Sequence, residues 1–205
     1  MAELKIVSYN CRGIATQEKR RDVVNFIKNL DFDIYLIQDT HLVKRTGPYF
    51  NSLWRGKCYH SYGLSNSRGT SILFKPNIQH NIIHEEYSEE GNYVILVCNI
   101  FLNTYTIVNI YGPNNDRPAF FEHLNQRIEQ LSAENIIIGG DFNFVADYQR
   151  DSNYLHQNNP RTSEVFSKII DTYKLVECWI AMKPNTNGFT WMRQNALMVG
   201  WIDCM

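Results

Sequence analysis

The sequence predicts an α/β protein in which one parallel strand–helix–strand unit leads into largely antiparallel sheet. The first observation behind this is the N-terminal order. Leu4-Lys5-Ile6-Val7-Ser8-Tyr9-Asn10 alternates as a strand, and Val23, Val24, Ile27 and Leu30 recur at helical spacing over residues 17–30. Asp33–Gln38 then reads as a second strand. The second is the run of strand-like stretches Cys58–Tyr62, Thr70–Lys75, Asn81–Tyr87, Tyr93–Phe101 and Thr104–Tyr111, with no clear helix between Asp39 and Tyr111. Strands that return without a crossover helix run antiparallel, which excludes a doubly wound parallel sheet. The third is the stretch Asn135 to Phe144, where Ile136, Ile137 and Ile138 read as a strand buried on both faces.

Each element carries its own punctuation. Glu18, Lys19, Arg20 and Arg21 sit near the start of the first helix. Asn103 lies in a link short enough for a hairpin, and Tyr111-Gly112-Pro113-Asn114-Asn115 has turn chemistry. Pro118 belongs in the first turn of a helix over 117–132, with Phe120, Phe121, Leu124, Ile128 and Leu131 on one face. Gly139 and Gly140 end the central strand where backbone turns sharply or passes close to something. Residues 147–160 read as a polar loop, and Ser163–Tyr173 as a helix with Val165, Phe166, Ile169 and Ile170 inward. Trp179 to Pro184, Phe189-Thr190-Trp191 and Leu197 to Met205 complete the chain. No repeat, linker or low-complexity tract divides it, so residues 1–205 are expected to form a single domain.

Composition narrows the function classes. An apolar fraction of 44% with 20% charged residues is that of a soluble globular protein. Aromatics at 13% suit a large core or a cleft that touches flat ligands. A net charge of −1 is not that of a nucleic-acid coat, but it does not exclude an enzyme that holds phosphate through a metal. The cysteines Cys11, Cys58, Cys98, Cys178 and Cys204 are odd in number and form no CxxC pair. That argues against a disulfide framework or structural zinc and for a reducing compartment. The longest apolar stretch, Val94 to Leu102, is too short to span a bilayer, and the N-terminus lacks signal-peptide features. A soluble intracellular protein is expected.

Strand ends share an ending. Asn10, Asp39, Asn109 with Tyr111, and Asp141 with Asn143 each follow an apolar run, and Asp203 closes a further one. Each alone is more often a cap or turn residue. Together, carboxylates and amides at one sheet edge, without His or Cys pairs, form an oxygen-ligand set suited to Mg²⁺ or Mn²⁺. Asp141 and Asn143, two positions apart, point the same way if the chain is extended there.

The segments Ser8-Tyr9-Asn10-Cys11-Arg12-Gly13, Ile37-Gln38-Asp39-Thr40-His41, Asn109-Ile110-Tyr111-Gly112-Pro113 and Gly140-Asp141-Phe142-Asn143 resemble the endonuclease/exonuclease/phosphatase superfamily. Arg12-Gly13, His41, Arg68-Gly69, Trp179 with Pro184, and Phe189-Thr190-Trp191 look most like the endonuclease domain of non-LTR retrotransposons. The resemblance runs from residue 4 to about 203. It implies a four-layer α-β-β-α sandwich of two mixed sheets, the DNase I-like fold. It also implies a Mg²⁺-dependent (or Mn²⁺-dependent) phosphodiesterase that nicks double-stranded DNA. On that reading Asn10 and Asp39 hold the metal, and Tyr111 helps bind the scissile phosphate. Asp141 positions or activates water, and Asn143 donates to phosphoryl oxygens. Arg12, Thr190 and Trp191 would contact DNA, while Asn109 and His41 support the site from behind. No obligate protein partner or membrane is implied; a monomer is expected, with the nucleus as location by family analogy.

Two departures qualify the resemblance. The family's metal carboxylate is usually Glu, so Asp39, one methylene shorter, is expected to bind metal more weakly or not at all. The family's Ser-Arg-Leu/Ile-Asp segment reads Gly200-Trp201-Ile202-Asp203 here, and the histidine that would pair with Asp203 does not follow. The expectation is a chain incomplete at its C-terminus, with weak or absent nicking. An apurinic-site or exonuclease III-like repair enzyme, a phosphatase, and a non-catalytic transposon-derived remnant are the rival readings.

Overall fold

The computed structural model describes residues 4–64, 67–131, 134–144, 160–178, 181, 191–192 and 199–200. Strand β1 (Ile6–Asn10), helix α1 (Gln17–Asn29) and strand β2 (Ile34–Gln38) form the opening unit, with β1 and β2 parallel from Ile6↔Ile34 to Asn10↔Gln38. Thr16 caps α1, its hydroxyl accepting from the Lys19 N–H at 3.2 Å. Strands β3 (Cys58–Ser61) and β4 (Thr70–Phe74) complete a mixed sheet of order β1-β2-β4-β3, with β4 antiparallel to both neighbours. Strands β5 (His80–Tyr87), β6 (Tyr93–Ile100), β7 (Asn103–Tyr111) and β8 (Ile136–Asp141) form the second mixed sheet in sequence order. Its first three strands are antiparallel, and β8 returns parallel to β7 through helix α3 (Pro118–Gln130). Helix α4 (Pro160–Tyr173) follows, and β9 (Trp191–Met192) pairs antiparallel with β10 (Val199–Gly200).

Three apolar layers define the stack. Ile34, Leu36, Ile72 and Phe74 of the first sheet meet Val94, Leu96, Cys98, Ile100 and Ile107 of the second. On the outer face of the first sheet, Tyr35, Ile37 and Leu73 pack against Val23, Val24 and Ile27 of α1. On the outer face of the second, Ile95, Val108 and Ile138 pack against Phe121, Leu124 and Ile128 of α3 and Phe166 and Ile169 of α4. The central strands are buried on both faces, which is why they read as apolar runs rather than alternations. Among the described residues this is the α-β-β-α sandwich, and no helix there is long and apolar enough to cross a membrane.

Two expectations are corrected. The segment after β2 is not free of helix: α2 (Gly47–Trp54) starts at a Gly-Pro pair and ends where Arg55 turns left-handed at φ 68°. It buries Phe50 and Trp54, four positions apart, and the Trp54 indole N–H donates to the Phe74 carbonyl at 2.8 Å. Pro160 also belongs to α4 and not to a loop, so that helix begins before Ser163. Its start is tied to α3, because the Asp116 carboxylate accepts from the Thr162 N–H at 3.1 Å and from its hydroxyl at 2.6 Å. The remainder of the expected loop, with Trp179, Pro184, Phe189, Thr190 and Asp203, lies outside the described residues.

The outer core layer rests on ring packing. Phe121 meets Phe144 at 5.3 Å and Phe166 at 5.5 Å between centroids, edge to face in both cases. Phe121→Ala is expected to lower unfolding stability by about 3–5 kcal/mol, read from the urea midpoint. A loss below ~1 kcal/mol would show that α3 does not pack as described.

Candidate active site

Both sheets end in chemistry at the same edge. Asn10 is the last residue of β1, and Asp39 follows the last residue of its parallel neighbour β2. Parallel pairing continues past the strands: Cys11 N–H donates to Gln38 O at 3.0 Å, Gly13 to Asp39 O at 2.6 Å and Ile14 to Thr40 O at 2.8 Å. On the other side, Thr40 N–H reaches Gly69 O at 3.0 Å and His41 N–H reaches Arg68 O at 2.7 Å. Between these rails Arg12, Asp39 and His41 take left-handed backbone angles of 50°, 54° and 54°. Such φ values are rare for side-chain-bearing residues and cluster at functional sites. Gly13 (φ +76°) is required here, since a Cβ would stand 2.5 Å from the His41 ring.

The second sheet supplies the facing half. Tyr111 ends β7 opposite Asp141, which ends β8. Gly139 and Gly140 make room for this: a Cβ on the first would meet Leu36 of the other sheet at 2.5 Å, and on the second Ile110 O at 2.0 Å. Asn143 closes a turn on Asp141, its N–H donating to Oδ1 at 3.1 Å and its side-chain amide to Gly112 O at 2.8 Å.

The halves touch. Asn10 Nδ2 donates to Asp141 Oδ2 at 2.6 Å across the sheets, while Asn10 Oδ1 accepts from the Arg12 N–H at 2.9 Å. Asp39 Oδ1 lies 2.9 Å from His41 Nε2. Tyr111 lies close enough to Asp39, Asp141 and Asn143 for all three to bear on its hydroxyl proton. Asn10, Asp141 and Asn143 are thus joined by hydrogen bonds, Asp39 is joined to His41, and the charge of Asp39 reaches both Asp141 and Tyr111, so the six residues share one mouth. Arg12 is exposed beside it and acts on Asp141 through its charge. Asn109 is fully buried beneath the cluster and not at its mouth. Trp191 is described only as backbone in β9, so the expected DNA contacts of Thr190 and Trp191 lie outside the described side chains.

Electrostatics follow from burial. Asp141 is 4% exposed, and burial pushes its carboxyl above the ordinary range, with Asp39 adding to the rise. Donors from Asn10 and Asn143, with the Arg12 charge, pull the other way. Tyr111 is pushed up to about 12, first by burial and then by the charges of Asp39 and Asp141. Two carboxylates and a carboxamide, without thiol or paired imidazoles, make an oxygen donor set fit for a hard divalent cation. Among the described residues no three His, Cys, Asp or Glu side chains gather to hold a metal, so a cation here would rest on two carboxylates and the Asn10 carboxamide. Gln38 is a residue that sequence reasoning did not place in the site. Its signal was a carboxamide ending the apolar run Ile34-Tyr35-Leu36-Ile37, a position where a polar side chain is buried.

Residues 7–194 match the model of the Endonuclease/Exonuclease/phosphatase family. A curated relative, the Transposon TX1 uncharacterized 149 kDa protein of Xenopus laevis, is 28% identical over 193 residues. That alignment spans 93% of this chain and 15% of the relative's length. Among solved structures, the AP endonuclease LMAP of Leishmania major superposes with a TM-score of 0.78 at 16% identity, covering 98% of this chain and 78% of that one. The endonuclease domain of TRAS1, a telomere-specific non-LTR retrotransposon, superposes with a TM-score of 0.65 at 13% identity, covering 98% and 84%. At these identities the superpositions show the fold, the DNase I-like sandwich of two mixed sheets.

The raised Asp141 carboxyl has a pH signature. The folded chain holds that proton more tightly than the unfolded chain does. The stability this confers is complete below the ordinary Asp value of about 3.9 and is lost as pH rises through the raised value. Asp141→Asn, neutral throughout, is expected to melt above the wild type at pH 7, with the gap closing towards pH 4 in circular-dichroism melts. A gap independent of pH would contradict the assignment.

Proposed function

The chain belongs to the endonuclease/exonuclease/phosphatase family, and on that premise we propose that it is a Mg²⁺-dependent phosphodiesterase that nicks double-stranded DNA, in the manner of a retrotransposon endonuclease. The observation that carries this reading is the cross-sheet contact of Asn10 with Asp141, which gathers two carboxylates, a carboxamide and a phenol at one mouth. Asn10 and Asp39 would hold the cation, which when bound neutralises charge on the phosphate. The protein's own groups divide the remaining work. Asp141, with a raised proton affinity, suits acceptance of a proton from an attacking water. Asn143 fixes the orientation of that carboxylate through its backbone N–H. Tyr111 stays protonated at neutral pH, so its hydroxyl serves as a donor to a phosphoryl oxygen. Arg12, exposed at the rim, suits a contact with the DNA backbone. Similarity to a transposon protein and to a retrotransposon endonuclease domain supports DNA as the substrate class.

Nicking of supercoiled plasmid in Mg²⁺ tests the proposal. Slow formation of relaxed circles is expected from the shorter carboxylate at position 39, chelation with EDTA should stop it, and Asp141→Asn should slow it by a further ~10²–10⁴. Wild-type protein that leaves plasmid intact in both Mg²⁺ and Mn²⁺ would refute the reading. Strong preference for an abasic duplex over an intact one would move the assignment to the repair branch of the family.

A further inference from the structure

The two halves of the site sit on different sheets, so their separation depends on how one sheet is placed over the other. Most of the interlayer is aliphatic, from Ile34, Leu36 and Ile72 to Leu96, Ile100 and Ile107. Apolar contact is non-directional and fixes the spacing of two layers better than it fixes their sliding register. Hydrogen bonds do fix register, because they fail when donor and acceptor shift by a fraction of an ångström.

One pleat below the mouth lies such a set. Asn109 of β7 sends its side-chain N–H groups across to Ile37 O at 3.0 Å and Ser71 O at 2.8 Å, both on the first sheet. Its Oδ1 accepts from Gln38 Nε2 at 2.7 Å. Gln38 Nε2 also lies 2.9 Å from Leu36 O and 3.0 Å from Ser8 Oγ, which share its second hydrogen and tie β1 into the same knot. Both Asn109 and Gln38 are fully buried. The Gln38 Oε1 has no hydrogen-bond partner among the described residues, so the amide is anchored there through its nitrogen. The grip falls at Ile37 and at Asn109, two residues before Asp39 and Tyr111 respectively, which on β7 places the functional side chain about 7 Å further along the strand.

We propose that Asn109 and Gln38 form a positioning clamp that sets the inter-sheet register at the catalytic end. Neither touches substrate. The pair holds Asp39 and Asn10 opposite Tyr111 and Asp141, and the cross-sheet load is shared by the Asn109 bonds to Ile37 O and Ser71 O and by the Gln38 bond to Asn109, so that losing either share loosens the register. A stabilising contact of the same size elsewhere in the interlayer does not do this.

The test compares Asn109→Leu and Gln38→Met with Ile100→Ala, which opens the same interlayer at its opposite end. Native-state hydrogen exchange is read at Gly13, Ile14 and Thr40, whose N–H groups bond the strand extensions around Asp39. Both clamp variants should exchange these amides faster, and Ile100→Ala at a comparable melting temperature should not. The kinetic half rests on the hydrolase reading above. Plasmid nicking by either clamp variant should lose kcat by at least about tenfold with KM for DNA unchanged, since small misplacements of reacting groups are costly in rate. Equal exchange and equal kcat in clamp and Ile100→Ala variants would reduce the pair to ordinary core and overturn the clamp. If wild type fails to nick, the hydrolase reading falls, and the exchange comparison alone decides the clamp. Gln38→Met retains the Asn109 bonds to the first sheet, so it serves if Asn109→Leu does not fold.

Discussion

The structure depends on one constraint: two mixed sheets must stack so that the carboxyl ends of β1 and β2 face those of β7 and β8. The hydrogen bond from Asn10 Nδ2 to Asp141 Oδ2 reports that the stacking is achieved, joining residues 131 positions apart. Neither sheet alone carries a site. The first offers Asn10 and Asp39, the second Tyr111, Asp141 and Asn143, and the chemistry exists only where they meet. Parallel pairing is what makes each half possible. Neighbouring parallel strands deliver their last residues to the same edge, so the two parallel pairs β1–β2 and β7–β8 each present a doublet of polar ends.

That arrangement is in tension with stability. Asp141 is buried beside a second carboxylate, and both burial and Asp39 oppose its ionisation. Left-handed backbone at Arg12, Asp39, His41 and Asn143 adds local strain. Hydrogen-bonded rails on both sides of Asp39 and the glycine contacts behind β8 hold the strain in place. A cation between Asp39 and Asp141 would relieve the repulsion, which is the physical link between the cluster's electrostatics and the metal proposed for it. Asp39 itself sits on backbone turned left-handed, with its Oδ1 2.9 Å from His41 Nε2.

Much of this was legible in the sequence, and the parts that were not have identifiable causes. The isoleucine run of β8, the helical stripe of α1 and the Pro-initiated α3 announce themselves through local period and punctuation. Helix α2 did not, because eight residues with a Gly-Pro start and apolar anchors only at Phe50, Leu53 and Trp54 give too short a pattern to distinguish from loop. The cluster of Asn10, Asp39, Tyr111, Asp141 and Asn143 was reached by the likeness of strand endings and by family resemblance. Its internal wiring was not, since the partner of Asn10 lies on the other sheet and no local rule connects them. Gln38 was hidden for the same reason, and Asn109, legible as a supporting residue, had partners the sequence did not name: a carboxamide in an apolar strand signals a buried partner but does not say which.

The most direct test of the central claim is a crystal structure of this chain soaked in Mn²⁺, with the anomalous difference map read at the sheet edge. A peak is expected in contact with Asp39 and the Asn10 carboxamide oxygen, on the side facing Asp141. A map with no peak there, or with Mn²⁺ bound only at other residues, would contradict the view that the stacked sheets build a cation site.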